Sequence, residues 1–196
     1  MDIASDVTLT VSSNGILTVS GSLPTSVGLR GSIINDGTIN TSNAAFGIFT
    51  SNSASITNRG TLNLDNASSI VSLGNSTILN TSTGIINGNF RANGTAVLNI
   101  TNNGNINYSG GAFAISFNAV SSLINNGTVN ITGGGGISNP GGSTITNNAC
   151  GKILMSSGGY DNGGTTTNAG LIQMPNLYNF TNTGTFTNNG VLKAKC

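Results

Sequence analysis

The chain has 196 residues, with three Lys and three Arg against five Asp, no Glu and no His, for a net charge of +1. Only 6% of residues are charged, against about a quarter in ordinary cytosolic domains, so neither a clustered basic surface for nucleic acid nor long-range steering is expected. No run approaches the roughly 18 consecutive apolar residues of a membrane span, and no basic region followed by an apolar one opens the chain, so no membrane insertion is expected and a leader or anchor would lie outside these residues.

In chain order, residues 1–23 read as an N-terminal coil and cap, with Val7, Leu9 and Val11 and then Ile16, Leu17 and Val19 alternating at strand period. From there a turn of the form Asn/Ser-x-Gly-x-aliphatic recurs about every 22 residues. Its glycines are Gly15, Gly37, Gly60, Gly84, Gly104, Gly127, Gly151, Gly170 and Gly190. Two residues later stand Leu17, Ile39, Leu62, Ile86, Ile106, Val129, Ile153, Ile172 and Leu192. Two residues earlier stand Ser13, Asn35, Asn58, Ser82, Asn102, Asn125, Ala149, Asn168 and Asn188, read as turn formers with a lapse at Ala149. The glycines are read as positive-φ corners. Four residues before the glycine, Val11, Ile33, Ile56, Ile100, Leu123 and Phe186 supply a second inward position, and Phe46, Ile70, Phe113, Ile137, Tyr160 and Tyr178 a third. Residues 180–196 look like an irregular last coil, because the corner copies at Gly184 and Gly190 crowd together. Lys193 and Lys195 fit charges that block an open sheet edge, and continuation of the natural chain is the favoured expectation.

Three short strands and three corners per repeat predict an all-β, right-handed parallel β-helix (β-solenoid) of about nine coils, as one domain over residues 1–196. The rod would be very roughly 40 Å long at a stacking distance of about 4.8 Å. Asn-Gly pairs at 14–15, 87–88, 93–94, 103–104, 126–127, 162–163 and 189–190 would also suit hairpins of an antiparallel sandwich, but near-constant long spacing favours the solenoid.

The segments SIINDGTIN (32–40), SITNRGTLNL (55–64), SLINNGTVNI (122–131) and NFTNTGTFTNNGVL (179–192) resemble the Asn-Gly repeats of bacterial secreted β-helix adhesins, such as filamentous haemagglutinin-like passengers and large surface repeat proteins. The resemblance is one of repeat style over nearly the whole chain. It implies export to the cell surface and contact with a cell-surface or glycan target, and it carries over no binding-site residue. A purely structural rod or spacer of a larger surface protein is the alternative.

Polysaccharide-degrading β-helix enzymes need clustered carboxylates, whereas Asp2, Asp6, Asp36, Asp65 and Asp161 are scattered, so no catalytic residue is expected and the chain is read as a non-enzyme. Without His, Cys-x-x-Cys or an Asp-rich nonapeptide, neither metal nor cofactor is expected. The third residue after the corner glycine stacks Asn40, Asn63, Asn87, Asn107 and Asn130, and threonines at 57, 81, 101, 167 and 187 add a neutral face, interrupted at Ile34 and Ile124. That face suits sugars, with ice as a minor alternative. The aromatic candidates for sugar stacking are Tyr108, Tyr160 and Tyr178, and Tyr160 with Asp161 and Asn162 forms the most site-like cluster. Whether Cys150 and Cys196 are bridged is open, as is a homo-oligomer such as a trimeric fibre.

Overall fold

The computed structural model describes residues 1–20, 25–42, 46–51, 53–65, 68–118, 120–176 and 179–194. The chain is an all-β parallel solenoid with repeats of roughly 22 residues. Three nine-stranded sheets run along the rod, and each strand pairs in parallel with its counterparts one repeat before and one after. Nine rungs result, separated by eight turns. The first rung is Asp2–Ile3, Thr8–Val11 and Ile16–Ser20, the fifth Phe90–Ala92, Leu98–Asn102 and Asn105–Tyr108, and the ninth Phe180–Asn182, Thr185–Asn188 and Val191–Ala194.

Alternation at period two gives each strand one inward and one outward set, and parallel pairing stacks like positions into columns. The first sheet sends in Val27, Ile48, Ile70, Phe90, Ile115, Ile137 and Tyr160. The second contributes Ile33, Ile56, Ile78, Ile100, Leu123 and Ile145, and the third Ile39, Leu62, Ile86, Ile106, Val129, Ile153 and Ile172. All are buried in one continuous apolar core, each removal from water worth about 1.5–3 kcal/mol. The ninth rung stacks in full register on the eighth, and Gly184 and Gly190 sit at two different corners of that rung. The crowding read from the sequence is therefore two successive turns of one regular coil.

Phe113 does not belong to the first column: it is exposed, and Ile115 takes the inward place. Likewise Ile48 and Phe180 hold the register positions expected for Phe46 and Tyr178, and Tyr178 lies outside the described residues.

Asparagine at the corner is an interior residue rather than a turn former. Asn35, Asn58, Asn80, Asn102, Asn125, Asn147 and Asn168 are buried to zero exposure, and each Nδ2 donates to the Oδ1 of the next, with Asn188 last, at 2.6–2.8 Å. The apparent lapses at Ser82 and Ala149 disappear in this frame. There the corner is two residues longer, and Asn80 and Asn147, four residues before the glycine, enter the column. Val11 occupies the corresponding place in the first rung, so Asn35 Oδ1 begins the column with no donor. A second column runs Asn139, Asn162, Asn182 at 2.7 Å between the first and second sheets, and it too opens on an unpaired oxygen, Asn139 Oδ1.

The corner glycines are required by stacking and not by dihedral angle. Among the described residues only Gly94, Gly142 and Gly158 have glycine φ values in the left-handed region. A methyl at Gly60 would overlap the Gly37 carbonyl oxygen, and one at Gly127 that of Gly104, because corner rests directly on corner. Those same carbonyls accept the next rung's N–H: Thr61 to Gly37 at 2.8 Å and Thr128 to Gly104 at 2.8 Å.

Outward, the second sheet presents two uncharged columns. One is Thr8, Ser32, Ser55, Thr77, Asn99, Ser122, Thr144, Thr165 and Thr185; the other is Thr10, Ile34, Thr57, Leu79, Thr101, Ile124, Thr146, Thr167 and Thr187. Leu79, and not Thr81, holds the fourth place, so aliphatic residues interrupt the threonines three times.

Candidate ligand groove and comparisons

The third sheet's outer face carries the expected amide row. Asn63 donates to Asn40 at 2.9 Å, Asn87 to Asn63 at 2.7 Å and Asn107 to Asn87 at 3.0 Å, while Asn40 reaches the Thr18 hydroxyl at 3.4 Å. Here each donor points to the preceding rung, opposite to the interior column. Such ladders hold β-stacks together and leave the remaining amide valences facing solvent.

Beside this row the wall of the solenoid is notched. The residue after Asn63 is Leu64, the residue after Asn107 is Tyr108, and between them Gly88 follows Asn87 with no side chain to fill the rung. The notch widens into an open groove of about 640 Å³, edged by Asn63, Asn87 and Asn107, floored by Leu64, Gly88 and Tyr108, and bounded by Ser109–Ala112 and Thr132. That volume falls within the range of small-ligand sites, and the mix of ring, aliphatic wall and convergent amides is of the kind such sites use. Every lining residue is neutral.

Tyr108 is half-buried and packs against the core. Its ring lies against the backbone of Gly110 and Gly135, where a methyl would collide with it, and Asn89 Nδ2 donates to its hydroxyl at 3.5 Å. Glycine at 110 and 135 therefore leaves room for the ring in the groove's floor.

The Tyr160 cluster is divided by the sheet. Tyr160 and Asn162 point inward and are buried, while Asp161 between them is exposed on the outer face of the first sheet. The Tyr160 hydroxyl pairs with the Thr166 hydroxyl at 3.1 Å, Thr166 Oγ1 donates to Asn162 Oδ1 at 2.9 Å, and the ring meets Phe180 and Phe186 at centroid distances of 5.9 and 6.4 Å. Burial drives the phenol's pKa well above its usual value of 10.0, with the hydrogen bond to Thr166 opposing it. Tyr160 and Asn162 are thus core residues and cannot touch a surface ligand. Alternation in the three-residue strand Tyr160–Asn162 is the reason.

Among the described residues the carboxylates do not gather. Asp2 pairs with Arg30 at 2.6 Å and Asp36 with Arg59 at 2.5 Å, each an exposed pair joining successive rungs. The hydrogen bond from Arg59 holds the Asp36 carboxyl below the usual carboxylate range, with desolvation opposing it and the guanidinium charge adding to it. Among the described residues no three His, Cys, Asp or Glu side chains come together as a metal site. Cys150 is exposed beside a shallow depression that Lys152 and Lys193 also line, and Cys196 and Lys195 lie outside the described residues.

Residues 4–84, which span most of the first four rungs, match the family model of the BigA third pectate lyase-like domain, a domain of a bacterial surface protein. No curated protein and no solved structure matches the chain. The words "pectate lyase-like" describe a fold. The chain is similar to that domain in its first part, and the likeness supports a β-helix-type surface repeat protein.

Proposed function

We propose that the chain is an extracellular recognition module of a bacterial surface protein, an adhesin segment that binds an uncharged glycan in the Tyr108 groove. The observation that carries this reading is the meeting, at one notch, of an aromatic ring with a row of outward amides one rung apart. A pyranose has the same two aspects, an apolar C–H face that rests on a ring and an equatorial set of hydroxyls that exchange hydrogen bonds with amides. The likeness to a surface-protein domain supports an extracellular setting. The dispersal of the aspartates, two of them held by arginines, favours binding over catalysis.

The test is binding of the purified chain to an array of neutral and acidic glycans, repeated with Tyr108→Ala. Retained neutral-glycan binding by the wild type and a loss of at least tenfold in the variant support the reading. A wild-type chain that binds no glycan, or binds acidic ones with no dependence on Tyr108, overturns it in favour of a structural spacer.

A further inference from the structure

The groove lies on the third sheet; the second sheet presents a different kind of surface. Its eighteen outward positions carry no charge, and around the fifth rung aliphatic side chains stand out of it. Leu79 and Ile124, 38% and 40% exposed, lie in one outward column at the fourth and sixth rungs, with Thr101 between them. At the corners leading into the same sheet, Leu73 and Val120 are 51% and 65% exposed on the fourth and sixth rungs, at opposite ends of their corners: the register sets Leu73 beside Asn93 and Val120 beside Val97. The Leu79, Thr101, Ile124 column is therefore the same one rung above and one rung below the fifth.

We infer that this face is the contact between two copies of the chain. A two-fold axis along the strand direction at the fifth rung lays the rods antiparallel, sets Leu79 against Ile124 of the second copy, and brings the two Thr101 residues together. This is the self-complementarity that an isologous interface needs. Nine rungs at about 4.8 Å by some 15 Å of strand offer roughly 600 Å² per copy, about 1,200 Å² in all, which reaches the lower bound of specific interfaces. Threonine suits the surround, since its methyl packs and its hydroxyl finds partners across two similar faces, and no charge has to leave water. The proposal does not rest on the glycan reading, because groove and face belong to different sheets.

Sedimentation equilibrium of the wild-type chain from micromolar to millimolar concentration tests it. A dimer is expected, with Ile124→Asp, which enters the contact twice, weakening association at least 100-fold while circular dichroism and the melting temperature stay as in the wild type. A second measurement does not depend on that variant: Thr101→Cys in a background with Cys150→Ser and Cys196→Ser should give a covalent dimer when oxidised glutathione takes up the two electrons released as the thiols join. Tyr108→Ala should dimerise as the wild type does. A wild-type chain that stays monomeric at millimolar concentration, an Ile124→Asp dimer of unchanged affinity, or a Thr101→Cys chain that forms no covalent dimer would overturn the proposal.

Discussion

Asn102 donates its Nδ2–H to Asn125 Oδ1 at 2.8 Å and, through the same nitrogen, reaches the carbonyls of Gly104 at 3.3 Å and Thr128 at 3.2 Å. One side chain thus ties its own corner to the next rung. Replacing it with leucine keeps the volume but strips a donor from Asn125 and an acceptor from Asn80 inside the core. A loss of about 2–4 kcal/mol is expected in urea unfolding followed by circular dichroism. Asn35→Leu should lose less than half of that, since Asn35 Oδ1 has no donor to forfeit.

Glycine substitutions should separate stacking from dihedral strain. Gly127→Ala places a methyl on the Gly104 carbonyl oxygen, where neighbouring backbone on both sides prevents relief, and the chain is expected to unfold or to melt far lower. Gly94→Ala meets nothing within 4 Å and suffers only from its φ of +60°, so a loss of about 1 kcal/mol is expected. Equal melting temperatures for the two variants would count against corner stacking as the constraint.

The groove can be closed without disturbing the solenoid. A Cβ built at Gly111, on the rim, meets nothing within 4 Å, so Gly111→Trp is expected to obstruct the groove and leave the melting temperature unchanged. Glycan affinity should fall at least tenfold by isothermal titration calorimetry. Tyr160→Phe should leave affinity untouched, because that ring is sealed in the core.

Two pH effects have opposite signs. Tyr160 has a folded pKa raised above its unfolded value near 10, so its contribution is full below pH 10 and is lost as the pH rises toward the folded value. Alkaline unfolding should therefore accompany any ionisation of Tyr160 followed by tyrosinate absorbance, and Tyr160→Phe should lessen the alkaline loss. Asp36 has a folded pKa below 3.8, so what Arg59 contributes is present above that value and fades as the pH falls through the lowered one. The pair is exposed, and 1 M salt or Arg59→Gln should remove most of this acid dependence.

Much of the fold was written in the spacing of the corner glycines, because stacking identical corners forces identical residues at identical intervals. The inward aliphatics after each glycine were legible for the same reason: Leu62, Ile86 and Ile106 stand two residues past a fixed point. Positions before the glycine were less so, since corners of two lengths shift the frame, and Asn80 and Asn147 were hidden behind Ser82 and Ala149. The groove was half legible. Its amide row and Tyr108 could be read from the repeat, but Gly88 looked like a turn residue, and its consequence appears only when Leu64 and Tyr108 are stacked on either side. Tyr160, Asp161 and Asn162 misled because adjacency in sequence within a strand means opposite faces in space.

The interior amides all donate a hydrogen bond forward, from Asn35 Nδ2 through to Asn188 Oδ1, so the column has a donor side and an acceptor side at every junction. Direction of this kind makes the rung a modular unit. A segment cut from one buried asparagine to the next, such as residues 103–125, can be duplicated or excised with donor still meeting acceptor and corner still meeting corner. An insertion of any other length has to be looped out at a corner, as the two extra residues before Gly84 and Gly151 are. Lengthening and shortening by whole coils is accordingly the change this architecture accepts with least disturbance.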